Sequence, residues 1–301
     1  MREVTFSDQP SNGSHREVGE NTVVARSSGN VASLTDSEFE QIQAIIRRMT
    51  GITMGDTKRH LVLRRVSTRL KALHMTSVPD YIKLLESGDA TEAELFTNAV
   101  TTNLTSFYRE DHHFDYLAKN ILPQLIANKQ NSSKRLRIWS AGCSTGEEPY
   151  SIAMTLNDVM PDIDCWDAKL LCTDIDTAVV ATAKAGVYPE QRLEKVPGSQ
   201  LKKWFERDGG LLKASQALKK HLTFKQLNLM NEWPMRGKFD VIFCRNVVIY
   251  FDKPTQRVLM DRYAEQLEEG GYLILGHSES LYKVSERFTL IGKTIYQKNP
   301  G

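Results

Sequence analysis

Residues Leu136 to Tyr150 read L-R-I-W-S-A-G-C-S-T-G-E-E-P-Y, and their reading decides the fold. Leu136, Ile138 and Trp139 have the apolar character of a short buried strand. Gly142 and Gly146 open a tight loop, and Glu147, Glu148 and Pro149 begin a helix that runs through Ile152, Ala153 and Leu156. Proline near the start and acidic residues in the first turn are what a helix N-terminus prefers. Strand, glycine-bearing turn and helix in succession make the first unit of a nucleotide-binding α/β sheet.

The glycine spacing is not that of a dinucleotide site. Gly142-x-x-x-Gly146 departs from G-x-G-x-x-G, and Glu147 and Glu148 stand where a pyrophosphate needs bare backbone N–H groups. Carboxylates there repel phosphate and suit a ligand that is cationic or rich in hydroxyl and amino groups. S-adenosylmethionine, with a sulfonium, an amino group, a ribose and no phosphate, answers that description. The competing reading is a purely structural glycine turn.

Downstream, the strand–helix rhythm continues. Ala168 to Thr173 reads as a second strand running into Asp174-Ile175-Asp176, and Val179 to Ala185 as the next helix. An acid at the end of the second strand is where a ribose hydroxyl pair is held in such sheets. Asp174 lies further from the glycine loop than the usual ~20 residues, which a longer helix and loop accommodate. A helix cap is the alternative for it, a task that Asp176 can equally perform. Gly186 to Gln226 then interrupts the rhythm with an expected helix around Leu201, Trp204 and Phe205. The turn Asp208-Gly209-Gly210 follows, then Leu211-Leu212 and Leu222-Thr223-Phe224, and a small antiparallel hairpin is expected in this stretch. Phe224 to Leu229 resumes the main sheet, and Phe239 to Phe243 has the unbroken apolarity of a central strand. Pro254 to Leu267 reads as a helix closed by Gly270-Gly271, followed by a strand at Tyr272 to Leu275 and one or two more between Phe288 and Gln297.

Upstream, the signals are helical. Thr35-Asp36-Ser37-Glu38 forms a capping box ahead of Phe39, Ile42, Ile45, Ile46 and Met49, with Gly51 as the stop. Asp56 is expected to cap a second helix, Thr57 to about His74, whose apolar stripe is Val62, Leu63, Val66, Leu70 and Leu73. Lys58, Arg65 and Arg69 fall on one line beside that stripe. From Arg47 to Met75, eight basic residues face a single acid, Asp56. The functional reading is a docking helix for an acidic partner, and the plain one a solvated face. Two shorter helices follow, from Pro79 and from Thr91. Thr101 to Glu110 is a connector, and a helix from Asp111 to Asn128, bent or split by Pro123, leads into the sheet. His112-His113 point to different sides of that helix, so no metal site is expected.

The near balance of 39 basic and 37 acidic residues in 301 argues against an extended phosphate-binding surface. No apolar run approaches the ~18 residues of a membrane span, so direct membrane insertion is not expected. The four cysteines (Cys143, Cys165, Cys172, Cys244) contain no C-x-x-C pair and suit a reducing, cytoplasmic setting. Residues 1–32, rich in Ser, Gly, Asn and Glu, are expected to form a disordered tail.

Five ordered motifs then carry a resemblance. They are T-T-N-L-T-S-F-Y-R-E-D-H-H-F from Thr101, A-G-C-S-T-G-E-E-P-Y-S-I-A from Ala141, T-D-I-D from Thr173, F-D-V-I-F-C-R-N-V-V-I-Y-F-D from Phe239 and G-H-S-E-S from Gly276. Together they resemble the bacterial chemotaxis receptor methyltransferases, the CheR family of protein-glutamate O-methyltransferases. The resemblance implies a helical receptor-docking domain over 33–101 and a seven-stranded, Rossmann-like methyltransferase domain over 102–301, with an inserted β-subdomain at about 186–226. It implies that Asn103, Thr105, Arg109, Glu148, Asp174, Asn228, Leu229, Arg245 and Asn246 line the S-adenosylmethionine site. Lys58, Arg65 and Arg69 would meet the cytoplasmic methylation helices of chemoreceptors, with S-adenosylhomocysteine as by-product and the enzyme a monomer.

A glutamate nucleophile is already ionised at neutral pH, so no general base is needed. Arg109 is expected to hold the cofactor's own carboxylate and Tyr250 to orient the substrate. Family members that anchor on a receptor's C-terminal pentapeptide carry a longer glycine-containing loop than Glu206 to Leu212, which is about three residues shorter here. Tethering is therefore not expected. The alternatives are a nucleic-acid methyltransferase, disfavoured by Arg245-Asn246-Val247-Val248 where [D/N/S]-P-P-[Y/F] is often found, and a non-catalytic S-adenosylmethionine-binding adaptor.

Overall fold

The computed structural model describes residues 33–301. The expected N-terminal tail, 1–32, lies outside the described residues. Four helices come first: α1 (Asp36–Thr50), α2 (Arg59–Ala72), α3 (Val78–Glu86) and α4 (Ala90–Val100). The Thr35 hydroxyl accepts from the Glu38 N–H while Glu38 reaches back to the Thr35 N–H, so the capping box forms as read. Gly51 ends α1 in the left-handed region (φ +76°), where a Cβ costs most. Asp56 does not cap α2. It opens a single 3₁₀ turn, Asp56–Lys58, and the α-helix proper begins at Arg59 without a side-chain cap.

The chain next forms α5 (His112–Tyr116) and α6 (Leu122–Lys129), joined by a π turn at Leu117–Ile121. The widened turn sits just ahead of Pro123, which has no N–H for a regular ladder. The sheet follows with β1 (Arg135–Ala141), α7 (Glu147–Val159), β2 (Asp167–Asp174) and α8 (Thr177–Ala185). The insertion is larger than a hairpin. It contains β3 (Val187–Pro189), α9 (Gly198–Trp204), β4 (Phe205–Asp208), β5 (Leu211–Ala214) and α10 (Gln216–Lys219), with a three-stranded antiparallel sheet ordered β3-β5-β4. Between β4 and β5, Gly209 (φ +55°) and Gly210 (φ +87°) make the minimal two-residue turn that only positive φ permits.

Leu222-Thr223-Phe224 does not belong to that insertion. It lies in β6 (Leu222–Gln226), which pairs parallel to β2 in the main sheet. The last elements are β7 (Phe239–Cys244), α11 (Lys253–Gln266), β8 (Leu267–Leu275), β9 (Phe288–Gly292) and β10 (Ile295–Lys298). Gly270-Gly271 do not close α11. They sit inside β8, where the β7–β8 register shifts between Phe239 and Val241.

The main sheet has seven strands in the order β6-β2-β1-β7-β8-β10-β9, parallel except where β10 runs against β8 and β9. Chain order reverses between β1 and β7, which opens a crevice at the carboxyl ends of those strands. Both faces are covered. Ile138, Val241 and Phe243 pack under Phe114, Leu117 and Ile152 on one side. Trp139, Ile242 and Leu273 pack under Leu259 and Tyr263 on the other. Phe39, Ile42, Val66 and Phe96 of the four N-terminal helices share that second core, so the helices are joined to the sheet by apolar contact. Among the described residues, no helix is long and apolar enough to cross a membrane.

Candidate functional site

A cleft of about 910 Å³, counting its open mouth, lies over the carboxyl ends of β1, β2 and β7. Its lining includes Asn103, Thr105, Arg109, Glu148, Asp174, Asn228, Leu229, Arg245, Asn246 and Tyr250, so every residue assigned from sequence to the cofactor or the chemistry meets in one place.

The floor is the loop between β1 and α7. Gly142 and Cys143 both donate to the Thr173 carbonyl (2.8 and 2.9 Å), which folds the loop back over β2. Gly146 turns at φ +101°, where a Cβ would stand 2.9 Å from that of Ala183. Only glycine fits. The start of α7 is closed to phosphate, because Glu147 is buried beside Arg192 (2.7 Å) and Glu148 is buried behind it.

Glu148 is held at both oxygens. The Ser140 hydroxyl donates to Oε1 (2.8 Å) and Arg245 Nη1 to Oε2 (2.9 Å). Burial pushes its carboxyl upward, with Arg245 and Ser140 opposing. Arg245 is itself buried, lies over the Phe114 ring, and donates to the Arg109 carbonyl. Its second partner is Glu110, at 3.3 Å.

Glu110 is the hub that the sequence did not reveal. Its backbone is left-handed (φ +55°), and its carboxylate accepts from the His277 N–H (3.1 Å) and Asn246 Nδ2 (3.4 Å), with His277 Nδ1 at 2.7 Å. Burial works to raise this carboxyl, yet the His277 hydrogen bond and the Arg245 guanidinium hold it down at about 2. His113, fully buried below it, is pushed down to about 3 by burial and by Arg245, so it stands as a neutral imidazole. A second carboxylate, Glu279, accepts from the backbone of Gly276 (2.6 Å), Asn246 (2.9 Å) and Ile249 (3.2 Å) and fixes the loop after β7. The usable signal for both was an acid inside each of two motifs, R-E-D and H-S-E.

On the β2 side, Asp174 accepts from the N–H groups of Ser144 (2.8 Å) and Asp176 (3.1 Å). Burial nevertheless pushes its carboxyl up to about 6. Asp176 is the helix cap, accepting from Ala178 and Val179. Its other oxygen takes Asn103 Nδ2 (2.7 Å) and the Thr101 hydroxyl (2.8 Å), which pins the connector across the cleft. Asn103 thus acts through its amide on the protein itself. The same holds for Asn228, whose amide donates to the Met49 carbonyl (2.7 Å) and accepts from the Met230 N–H (2.9 Å).

The mouth is differently built. Arg109 keeps 29% of its side chain exposed and donates from Nη1 to the Leu104 carbonyl (2.6 Å). Tyr250 ends a 3₁₀ turn, its carbonyl accepts from the Thr53 N–H (2.8 Å), and Lys58 Nζ lies 5.5 Å from its ring centre. Arg65 reaches the Thr101 carbonyl (3.3 Å). Arg69 is no part of this mouth. Its guanidinium is clamped on buried Glu92 through Nε (2.9 Å) and Nη2 (2.6 Å), with the Tyr81 hydroxyl on the same carboxylate (2.6 Å). It therefore ties α2 to α4, and the basic line read from sequence shortens to Lys58 and Arg65.

The cleft thus presents the carboxylates of Glu148 and Asp174 beside a helix start closed to phosphate. A family described as "CheR methyltransferase, all-alpha domain" matches residues 37–101, and "CheR methyltransferase, SAM binding domain" matches residues 103–297. A "Probable chemotaxis protein methyltransferase" of Rhizobium etli is 43% identical over 82% of this chain and 94% of its own length. "Chemotaxis protein methyltransferase 2" of Pseudomonas aeruginosa is 41% identical over 87% and 93%. The "Chemotaxis protein methyltransferase" of Escherichia coli is 40% identical over 88% and 91%.

Proposed function

The chain belongs to the CheR family of S-adenosylmethionine-dependent chemotaxis methyltransferases, and from that premise we propose that it methylates glutamate side-chain carboxylates on the cytoplasmic helices of chemoreceptors. The single observation that carries the reading is the cleft itself, with Glu148 and Asp174 on its inner wall and cationic Arg109 and Lys58 at its mouth. We assign Glu148 to the cofactor's amino group, Asp174 to its ribose, Asn228 and Leu229 to its adenine, and Arg109 to its carboxylate. Asn103, Thr105, Arg245 and Asn246 complete that lining.

When bound, S-adenosylmethionine supplies an electrophilic methyl group on a sulfonium. The protein's part is placement and exclusion of water. A glutamate carboxylate needs no proton removed at neutral pH, so no side chain has to act as a base. Placement alone is worth up to about 7–11 kcal/mol in well-oriented cases. A tight bidentate arginine on the nucleophile would oppose transfer by stabilising charge that the reaction consumes. That is why Arg109 is assigned to the cofactor and the Tyr250 hydroxyl to the substrate.

Lys58 and Arg65 face the acidic receptor helix, and the protein works as a cytoplasmic monomer without nucleic acid. The two-residue Gly209-Gly210 turn between β4 and β5 supports a reading in which the enzyme acts independently of a receptor's C-terminal pentapeptide. The test is incubation with radiolabelled cofactor and receptor-bearing membranes, with and without the pentapeptide. Base-labile label on both receptors is expected. Base-stable label would refute a carboxyl ester, and label confined to pentapeptide-bearing receptor would refute independence.

A further inference from the structure

Among the described residues, Leu104 is the exposed large apolar side chain that also lines the cleft, with 77% of its surface in water. Single exposed leucines are ordinary and need no explanation. The mounting of this one is not ordinary. On its N-terminal side, the Asn103 carbonyl accepts from the Ser144 hydroxyl (3.0 Å) and the Asn103 amide is tied to Asp176. On its own residue, the Leu104 carbonyl accepts from Arg109. The leucine is thus a fixed knob, and covering it with a partner orders little backbone.

Its surroundings restrict the partner. Arg109 and Tyr250 share the mouth, Lys58 lies by the Tyr250 ring, and Arg65 is bonded to Thr101, three residues before the knob. An apolar contact framed by cations fits an acidic amphipathic helix, which presents neighbouring side chains one turn apart.

We propose that Leu104 is a specificity-determining contact for the acceptor, packing against an apolar side chain about one helical turn from the target glutamate. This rests on the glutamate-methyltransferase reading above. Wild type, Leu104→Ala, Leu104→Met and a control at the remote exposed Leu290→Ala are assayed on receptor-bearing membranes, with cofactor affinity measured separately. Leu104→Ala is expected to raise KM for receptor about tenfold or more with kcat and cofactor Kd unchanged, as removal of an isopropyl group covered by the partner predicts. Leu104→Met and Leu290→Ala should stay within about twofold of wild type. Unchanged KM in Leu104→Ala overturns the proposal, as does a loss confined to cofactor affinity, which would make Leu104 a cofactor wall. A wild type that leaves no base-labile label on receptor removes the functional reading itself and this inference with it, whereas a labelled receptor with unmoved KM sinks this inference alone.

Discussion

The inner wall and the mouth of the cleft are built on opposite plans. On and behind the inner wall, Glu148, Arg245 and Glu279 are buried and Glu110 is half-buried, and they hold one another or backbone N–H groups through several bonds each. At the mouth, Leu104, Arg109, Tyr250 and Lys58 are partly or largely exposed and lean on backbone carbonyls or a ring face. A wall satisfied from within is rigid before any ligand arrives and presents fixed charge to it. A mouth with spare surface is where a partner gains contact. Under the proposed function, affinity for the small molecule lies inside and choice of the macromolecule outside.

The contrast can be broken most forcefully at Arg245. Its replacement by alanine leaves Glu148 and Glu110 buried without their cation, a situation that costs about 3–5 kcal/mol. Denaturant unfolding of Arg245→Ala should show a loss of that order, and a loss below about 1 kcal/mol would mean that the wall is not the rigid unit described. A smaller effect is expected at Asp174. Its carboxyl lies at about 6, so acidification protonates it and cofactor affinity should fall about tenfold by roughly pH 5. Calorimetric titration of Asp174→Asn should give weak, pH-independent binding over the same window. For folding, the sign is reversed. The native state keeps the proton between the ordinary 3.8 and about 6, so the stability contributed by this group declines as pH rises through that window.

The smallest effect sharpens the comparison at the basic helix. Lys58→Ala should raise KM for receptor roughly threefold with stability unchanged, as expected for an exposed charge. Arg69→Ala should do the reverse, lowering the unfolding midpoint through the loss of the Glu92 clamp while leaving receptor KM alone. If Arg69→Ala shifted KM without shifting stability, its place in the structural clamp would be misassigned.

The β1–α7 unit was legible because every signal in it is local. The apolar residues Leu136, Ile138 and Trp139, glycines at the turn and acids at the helix start all fall within fifteen residues. Asp174 was legible for the same reason, standing at the end of an apolar strand. Glu110 was not, since its partners Asn246 and His277 lie 136 and 167 residues away and nothing local announces them. Arg69 looked like its neighbours on the α2 face because a helical projection shows direction and not what α4 places there. Gly270-Gly271 looked like a helix stop because glycine after a helix normally is one. Here α11 passes directly into β8 at Leu267, and the glycines take up the register shift instead. Leu222-Thr223-Phe224 was misplaced because a short apolar run fits a hairpin or a sheet edge equally well.

The end of α1 and the loop after it are stitched at three points to the loops that follow β6 and β7. The Thr53 N–H reaches Tyr250, Asn228 reaches Met49, and Arg47 pairs with Asp252. Those ties hold the basic helix at one offset from the cleft. Under the proposed function, the molecule then works as a caliper. A receptor helix gripped at Lys58 and Arg65 offers only the carboxylates that fall a set rise away, so which glutamates are modified becomes a matter of spacing along the target as much as of the residues around each one.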